Sequence, residues 1–472
     1  MRILPLVSAL ALALAVQTRP AERPTVPRPE IAAYRDTVDR IVREALERGD
    51  TWDKLQELCA VAPHRLSGSP GAAAAIEWAR QAMLRDGLEN VRLEPCRVTH
   101  WERGEVEELR FAAPPELAGE RLALLALGGS VPTPEGGLRA PLVAVESFEE
   151  LDELGEAVRG SIVLFNRPMD AGLVDTFAAY GGAVGQRVRG ASEAARRGAV
   201  AALVRSMTTR LDDYPHAGGM RYAEGVPEIP TAAVSTLAAE RLASLLGRGE
   251  DVVLHLELDC RSYPDAPSFN VVGELPGREH PEEVLVVGGH LDAWDVGQGA
   301  HDCGAGCCQS IEVVRLLKEL DLVPRRTIRV VLFMNEENGL GGARAYYRDH
   351  QDEMGRHRFA LESDRGGFTP RGFTTDAEGE ARAVLEEVAL LLEGIGASTL
   401  RRGRGGADVG PMAQSGVVTA GLYPDPQRYF DLHHSARDTL EQVSPRELEL
   451  GAAAMAALLY VVADLEAPLP HN

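Results

Sequence analysis

The sequence predicts an α/β fold, a mostly parallel sheet covered by helices on both faces, with an inserted domain in the middle of the chain. In residues 263–472, apolar β-branched runs alternate with amphipathic helical stretches, a pattern that favours parallel strands between two helical layers. Three of those apolar runs end in His, Glu or Asp. Because open α/β sheets bind ligands beyond the carboxyl ends of their strands, these side chains are candidate functional groups.

The composition limits the classes of function. The chain has 472 residues and a hydrophobic content of 45%, enough for two or three domains of roughly 150 residues each. Its 71 acidic and 49 basic side chains give a formal charge of -22. This charge argues against binding to nucleic acid or to an anionic membrane surface, because both require basic patches. We interpret the excess of acidic side chains as one that simply keeps the protein soluble.

Residues 1–21 have the pattern of a secretory signal peptide. Arg2 is the one early charge, and residues 3–16 carry none. Such a segment is too short to persist as a membrane helix and is removed on export. No later apolar run reaches about 18 residues, so we expect a periplasmic or extracellular protein without a membrane span. Export would permit disulfides among the six cysteines, whose pairing the sequence does not define.

The predicted elements divide the mature chain into three parts. Residues 22–127 are predicted to be the N-terminal part of the catalytic domain, residues 128–262 an inserted domain, and residues 263–472 the catalytic part. Helices are expected at 31–49, 51–59, 72–86, 191–197, 237–246, 307–320, 381–392 and 446–465. Strands before residue 263 are expected at 91–98, 107–111, 141–145, 161–165, 200–204, 229–234 and 251–258. The insert has no concentrated His, Asp or Glu, so we expect it to serve substrate access, assembly or a purely structural role.

Histidine and carboxylate side chains follow the predicted strands of the catalytic part and one C-terminal loop. In chain order they are His290 and Asp302 after the strand 284–289, Glu336 and Glu337 after 327–334, Asp364 after 358–361, and His434 in the loop before the last helix. Histidine nitrogen and carboxylate oxygen are typical ligands of zinc and related divalent ions. The sequence therefore predicts a metal site.

Two divalent ions close together need a shared ligand, and a carboxylate with two oxygens can bridge them where a neutral imidazole cannot. Asp302 is the candidate bridge. One histidine and one carboxylate for each ion would then pair His290 with Asp364 and His434 with Glu337. We expect two zinc ions per chain, although manganese or cobalt would also fit this mixed donor set.

Glu336 is the remaining acid of the set and the candidate catalytic base. It is next to a candidate ligand, but its side chain leaves the backbone in another direction. Zinc can lower the pKa of a bound water molecule to roughly 7. Glu336 would take the proton from that water and hand it to the leaving amine, acting first as general base and then as general acid.

The order His, Asp, Glu-Glu, Asp, His along residues 290–434 resembles the M28 family of co-catalytic zinc peptidases. The stretches 268–272 and 290–299 resemble one branch of that family, and 64–71 also fits. The resemblance implies that the insert is a protease-associated domain and that Glu336 is the base. It implies that two zinc ions are bound by His290, Asp302, Glu337, Asp364 and His434. It also implies an enzyme, often dimeric, that cleaves dipeptides or the N-terminal residues of short peptides.

Two positions depart from the pattern of the family. Cys303 stands directly after Asp302, where the family usually has Asp or Asn, so the surroundings of the bridge differ. Arg365 stands directly after Asp364, where the family usually has a small residue. Its cation could narrow the site, contact a substrate carboxylate or point to solvent.

Polar residues near the candidate ligands also have expected roles. His301 and His433 are each next to a candidate ligand, and we expect neither to bind metal. Asp292 and Asp438 are expected to accept a hydrogen bond from a metal-binding imidazole or to cap a turn. Asp408 is expected to line the pocket or to cap a following helix.

Two other functions share these features. A single-zinc acyltransferase of the glutaminyl cyclase type has the same fold, and a metal content of about one ion per chain would favour it. A non-catalytic receptor or binding ectodomain of this fold would have lost its ligands. All six candidate positions are present here, which favours the peptidase.

Overall fold

The computed structural model describes residues 26–472, so the signal peptide predicted at 1–21 lies outside the described residues. In the described part, twelve α-helices and sixteen strands follow one another. The helices are α1 (Pro29–Ala32), α2 (Arg35–Arg48), α3 (Thr51–Val61), α4 (Pro70–Arg85), α5 (Phe148–Leu154), α6 (Thr176–Ala183), α7 (Gly185–Arg196), α8 (Thr236–Gly247), α9 (Ala305–Glu319), α10 (Gly341–Asp349), α11 (Gly379–Leu390) and α12 (Pro445–Asp464). The strands are β1 (Glu89–Glu102), β2 (Glu107–Ala113), β3 (Arg121–Leu122), β4 (Leu124–Ala126), β5 (Leu138–Val145), β6 (Ile162–Phe165), β7 (Ala201–Arg205), β8 (Thr231–Val234), β9 (Val253–Leu258), β10 (Arg261–Leu275), β11 (His280–His290), β12 (Arg326–Phe333), β13 (His357–Glu362), β14 (Pro370–Thr375), β15 (Thr399–Arg402) and β16 (Val418–Pro424).

Eight strands form the first sheet, in the order β1-β10-β12-β11-β13-β16-β14-β15. The four central strands, β12, β11, β13 and β16, are parallel to one another. Antiparallel pairs flank them on both sides, β10 against β12 and β14 against β16. The predicted α/β class is confirmed, and the sheet is mixed, with its parallel strands at the centre.

Helices cover both faces of this sheet, as predicted. Along β11, Leu285 and Val287 pack into the core shared with α2, α3, α4, α9, α11 and α12. Val284 and Val286 point to the opposite face, where they pack into a second core with α10. This division follows from the two-residue repeat of a strand, which sends alternate side chains to opposite faces. The continuous apolar run of β11 is therefore explained by burial on both sides.

Residues between 107 and 258 form a second eight-stranded sheet, in the order β3-β2-β9-β5-β6-β7-β8-β4. Three of these strands, β2, β3 and β4, precede residue 128, where the predicted insert begins. Helix α8 packs into one core of this sheet, and α6 and α7 pack into the other. Phe368 and Phe430, which come from the later part of the chain, are buried in that second core. The two sheets therefore share a packed boundary.

Two further findings concern export and membranes. All six cysteines lie within residues 26–472, and each is buried and free of any disulfide. Among the helices of the same range, none is both long and apolar enough to cross a bilayer.

Candidate metal centre

Three parallel strands deliver candidate site residues to one edge of the first sheet. β11 lies between β12 and β13 and ends at His290. β12 ends three residues before Glu336 and four before Glu337, and β13 ends two residues before Asp364. Because the carboxyl ends of parallel strands share an edge, these side chains meet there. The predicted strand ends are confirmed.

Asp302 lies between two pairs of side chains, each made of a histidine and a carboxylate. Its Oδ1 is 3.2 Å from His290 Nε2, and its Oδ2 is 3.3 Å from His434 Nε2. His290 Nε2 is also 3.0 Å from Asp364 Oδ1, and His434 Nε2 is 3.0 Å from Glu337 Oε2. The five side chains that we predicted as ligands therefore form two clusters that share Asp302.

The second ring nitrogen of each histidine contacts a backbone oxygen. Nδ1 of His290 is 3.0 Å from the carbonyl oxygen of Asp292, and Nδ1 of His434 is 3.3 Å from that of Ala217. A carbonyl oxygen can only accept a hydrogen bond, so Nδ1 carries the proton and the lone pair of Nε2 faces the carboxylates. Two such electron-rich groups at this distance require a cation between them, either a proton or a metal ion.

The charges of the cluster also indicate that a cation belongs between these side chains. Although burial opposes it, the carboxylates of Glu337 and Asp302 raise the pKa of His434 to about 10. Among the described residues, the buried atoms Asp302 Oδ2 and Glu337 Oε1 have no hydrogen-bond partner. Buried polar atoms are rarely left unpaired, because desolvation without a partner is costly. A divalent cation would satisfy these oxygens, and the imidazole and carboxylate donors fit zinc.

Glu336 lies beside the cluster and lines an open cleft with Glu337 and Asn338. Burial raises the pKa of Glu336 well above its usual value, and the nearby carboxylates of Asp364 and Glu337 raise it further, against the opposing effect of His290. Glu336 therefore lies beside the cluster and on the cleft, where the predicted general base would stand.

Asp292 and Asp438 bind backbone N–H groups. The carboxylate of Asp292 accepts hydrogen bonds from the N–H of Asn335 (2.7 Å) and of Glu336 (3.1 Å). The carboxylate of Asp438 accepts one from the N–H of Asp302 (3.0 Å). The Nδ1 atoms of His290 and His434 contact backbone carbonyl oxygens and not these two carboxylates, so the alternative role of capping a turn is the one observed.

The two histidines that neighbour the cluster differ from each other. His301 accepts a backbone N–H at Nδ1, and its Nε2 is 3.2 Å from the carbonyl oxygen of Gln442, so both of its nitrogens are engaged elsewhere. His433 stacks on His434 with 3.5 Å between ring centroids, and its Nε2 is 3.8 Å from Asp302 Oδ2. His433 therefore places a second imidazole nitrogen near Asp302, farther away than that of His434.

Cys303 and Asp408 are both buried next to the site. The thiol of Cys303 donates to the carbonyl oxygen of Ser363 over 2.9 Å, and its sulfur also lies within ligand distance of His290 and Asp364. Asp408 is fully buried, and neither of its carboxylate oxygens has a hydrogen-bond partner in residues 26–472. It does not cap the short helix that follows it, so of its two expected roles the helix cap is wrong.

Arg65 is a positioning residue whose role we did not predict from the sequence. It is fully buried, and its guanidinium donates to the carbonyl oxygens of Leu291 (2.7 Å), Gln298 (2.6 Å) and Gly299 (2.7 Å). These carbonyls belong to the loop that leads from β11 to Asp302. In the sequence, Arg65 is marked only by the family resemblance of the stretch 64–71. A residue that binds backbone carbonyls needs no particular spacing to other functional residues, so spacing could not identify it.

The cleft beside Glu336 lies between the two sheets. Its lining includes Gly128, Arg187, Gly219 and Arg221 on the side of the second sheet, and Glu336 and Asn338 on the other. A substrate that reaches the candidate metal centre through this cleft therefore contacts both halves of the protein.

A central parallel sheet with histidines and carboxylates beyond its strand ends is the architecture of a metal-dependent hydrolase. Comparison with known proteins identifies the family. The profile of Peptidase family M28 matches residues 270–459. Carboxypeptidase Q of Bos taurus is 40% identical over 446 residues, which cover 94% of this chain and 92% of that protein. The chain belongs to peptidase family M28.

Its relationship to carboxypeptidase Q extends over nearly the whole length. Carboxypeptidase Q of Homo sapiens is 39% identical with the same coverage. The crystal structure of an M28 peptidase precursor from Shewanella amazonensis has a TM-score of 0.89 at 31% identity and covers 94% of this chain and 99% of that one. A zinc aminopeptidase from Bacillus subtilis has a TM-score of 0.66 at 20% identity, covering 90% and 97%, and shares the fold. The predicted family and branch are confirmed, as is the prediction of an enzyme.

Proposed function

We propose that this protein is an exported di-zinc exopeptidase that hydrolyses dipeptides or removes N-terminal residues from short peptides. The observation that supports this most directly is the position of Asp302, whose two oxygens face His290 and His434 separately. A single-ion site needs no shared carboxylate, whereas a pair of ions does. The names of the relatives, carboxypeptidase Q and zinc aminopeptidase, agree with hydrolysis at the end of a peptide.

The five clustered side chains would hold the ions. His290 and Asp364 would bind one zinc, His434 and Glu337 the other, and Asp302 both. Zinc in such a site lowers the pKa of water and polarises the carbonyl that is to be cleaved. The backbone contacts at Nδ1 fix both imidazoles, so that their Nε2 atoms stay directed at the ions.

Glu336 would carry the proton. Its carboxylate takes a proton from the attacking water and returns it to the nitrogen of the leaving amine, so the acid ends the cycle in its starting state. The N–H of Glu336 donates to Asp292, which fixes the backbone that carries the base. The place of Glu336 beside the cluster, on the cleft through which a substrate would approach, supports this assignment.

Three finer assignments belong to the same proposal. The second sheet, predicted as the insert at 128–262, would be a protease-associated domain that covers the cleft. Residues 1–21 would be the signal peptide. A homodimer remains an expectation from the resemblance.

The test combines substrate profiling with metal analysis. The purified protein is incubated with dipeptides and tripeptides that carry a free or blocked N-terminus and a free or blocked C-terminus, and zinc per chain is measured. About two zinc ions together with hydrolysis that requires a free terminus are expected. One ion per chain with cyclisation of N-terminal glutamine would support the acyltransferase instead. A zinc-loaded protein that hydrolyses none of the peptides would support the non-catalytic alternative.

A further inference from the structure

The loop between the candidate ligands His290 and Asp302 is attached to both halves of the protein. Residues 291–299 form this loop, which follows β11 and leads to the turn that contains Asp302. Arg65 binds three carbonyl oxygens at its two ends. The position of one candidate ligand relative to the other depends on the course of this loop, so the contacts of its middle part are of interest.

An ion pair between Arg103 and Asp295 holds the middle of the 291–299 loop. Arg103 lies in the connection between β1 of the first sheet and β2 of the second. Its Nε and Nη2 donate to the two carboxylate oxygens of Asp295 over 2.9 Å and 2.7 Å. The side chain of Arg103 is 10% exposed and that of Asp295 is 24% exposed, so water competes weakly for these bonds. Two parallel hydrogen bonds from one guanidinium group fix the direction of a carboxylate as well as its distance.

The third nitrogen of the Arg103 guanidinium group binds the second sheet. Nη1 donates to the carbonyl oxygen of Ala126, at the end of β4, over 2.6 Å and lies 3.2 Å from Oε1 of Glu107. Glu107 is the first residue of β2, and its Oε1 also accepts the N–H of Ala126 over 2.6 Å. One arginine side chain thus joins the 291–299 loop to two strands of the second sheet.

Trp294, the neighbour of Asp295, is buried in a core of the second sheet. Its side chain is 3% exposed and belongs to the core into which α8 packs. The ring of Trp101 meets it edge-on, with 6.4 Å between ring centroids. Gly128 lies so close that an added Cβ would be 2.0 Å from the Trp294 ring. The two middle residues of the loop, one aromatic and one charged, are therefore both anchored on the second sheet.

This anchor is connected to the candidate metal centre at two places. The ring of Trp294 lies 5.7 Å from that of the candidate ligand His434. Asp295 and Asp302 are seven positions apart, and Arg65 holds the stretch between them at its Gln298 and Gly299 carbonyl oxygens. A displacement of the loop at Asp295 would therefore be transmitted to the residue that we assign as the shared ligand.

We propose that the second sheet is a structural part of the zinc site, and that Arg103 and Trp294 hold the 291–299 loop where His290 and Asp302 can bind the same ion. This rests on the proposed binding of zinc and gives the second sheet a role beyond covering the cleft. Arg103 is a positioning residue, because it acts on the ions through Asp295 and the loop. Zinc binding and the attachment of the loop to the second sheet then strengthen each other, since coupling between two sites is reciprocal.

Zinc affinity in single and double variants tests the positioning role. Asp295→Asn keeps the size of the side chain but removes its charge, and Arg103→Gln removes the guanidinium group. Each should lower zinc affinity by roughly ten- to hundredfold, as is typical when a group that orients a metal ligand is lost. The double variant should lose little more than either single variant, because both changes break the same pair. Arg103→Lys, which keeps the charge without the planar fork, should lie between Arg103→Gln and wild type. Competition with a chelator measures the affinity independently of turnover.

Arg205→Gln is the matched control. Arg205, at the end of β7, forms an ion pair of 2.7 Å with Glu240 of α8, so both partners belong to the second sheet and its helix. This variant should bind zinc with wild-type affinity even where its melting temperature falls. Wild-type zinc affinity in Asp295→Asn, or equal losses in Arg205→Gln and Arg103→Gln, would overturn the positioning role.

Hydrogen exchange of the wild-type protein gives a measurement that needs no variant to fold. Zinc-loaded protein should exchange the amides of residues 103–113 and 124–126 more slowly than chelator-treated protein, whereas those of α5 should exchange equally in both. Equal exchange of residues 103–113 in the two samples would overturn the coupling. A wild-type protein that binds zinc but cleaves no peptide would contradict the exopeptidase and leave this proposal intact, and one that binds no zinc would contradict both.

Discussion

The carboxylate of Asp438 accepts the backbone N–H of Asp302 over 3.0 Å, although 136 positions separate the two residues in the chain. The other oxygen of Asp438 accepts the N–H of His301 over 2.7 Å. Asp438, a buried acid, thus holds the backbone N–H groups of two consecutive residues, His301 and Asp302, the second of which is the candidate bridge. The orientation of the candidate bridging carboxylate therefore depends on a residue outside the predicted ligand set.

Asp438→Asn should therefore weaken zinc binding. The amide nitrogen of Asn cannot accept a hydrogen bond, so one of the two N–H groups loses its partner and the backbone at Asp302 shifts. Loss of such an outer partner typically lowers metal affinity by about 10- to 100-fold. Competition with a chelator measures the affinity, and Asp431→Asn, in the same loop, is the matched control. Equal zinc affinity of Asp438→Asn and wild type would contradict this role.

Glu336→Gln should keep its zinc and lose most of its turnover. The amide is close in size to the carboxylate but cannot accept the proton from water, and general base catalysis contributes roughly 10²- to 10⁴-fold. Turnover of a dipeptide and zinc per chain are measured together. Glu441→Gln, an exposed glutamate near the last helix, should be unaffected. Near-normal turnover by Glu336→Gln would exclude this residue as the base.

Single-histidine variants distinguish the ligand from its neighbour. His434→Ala should lose one of the two proposed zinc ions, because Glu337 and the shared Asp302 would be left without a nitrogen ligand at that end of the cluster. His433→Ala should retain both ions, since its Nε2 is 3.8 Å from Asp302 whereas that of His434 is 3.3 Å away. Metal analysis after dialysis gives the zinc content of each variant. The reverse pattern would assign the ligand to His433.

A histidine far from the metal centre should make the stability depend on pH. The ring of His357 is fully buried, and its Nε2 lies 2.9 Å from the hydroxyl oxygen of Tyr346. Burial, reinforced by the charge of Arg329, lowers the pKa of His357 to about 4, although the carbonyl of Glu353 opposes this. The unfolded chain takes up the proton near pH 6.5, so the neutral ring favours folding above that pH. The contribution of His357 to the free energy of unfolding should therefore fall by about 3 kcal/mol as the pH drops from 6.5 to 4.

Denaturant unfolding between pH 7.5 and 4 tests this dependence. The free energy of unfolding of His357→Gln should fall less steeply with decreasing pH than that of wild type. His280→Gln, a change at an exposed histidine, should follow the wild-type curve. Parallel curves for wild type and His357→Gln would show that His357 does not titrate on unfolding.

Sequence patterns predicted the central strands because burial on both faces leaves an unbroken apolar run, as in β11. Several elements were missed, and two of them show the physical reason. The first half of β10 is exposed and shows no alternation. Helix α6 contains two adjacent glycines, which disfavour a helix, but Asp175 caps it by accepting the N–H of Phe177 and its aromatic face is packed. Tertiary contacts therefore determine the structure of both β10 and α6.

Prediction of the candidate site from the sequence is also limited where a role depends on tertiary contacts. Three of the five predicted ligands, His290, Glu337 and Asp364, lie at or just after strand ends, which leave a signal in the sequence, whereas Asp302 and His434 lie in loops. The role of Arg65 depends on which backbone groups it reaches, and backbone groups are the same at every residue. No residue spacing can therefore reveal that role, which becomes visible only when loops far apart in the chain are brought together.

The contact between Ala217 and His434 has a mechanical consequence. Ala217 comes from the segment between β7 and β8, and besides accepting the imidazole proton it donates its own N–H to the carbonyl oxygen of His434 over 2.8 Å. The half of the molecule without candidate ligands thus sets the tautomer of one ligand in the other half. A wide hinge opening of the two halves would break both contacts and free the imidazole of His434. Under the proposed function, peptides would therefore enter along the existing gap, and its width would limit the size of the substrate.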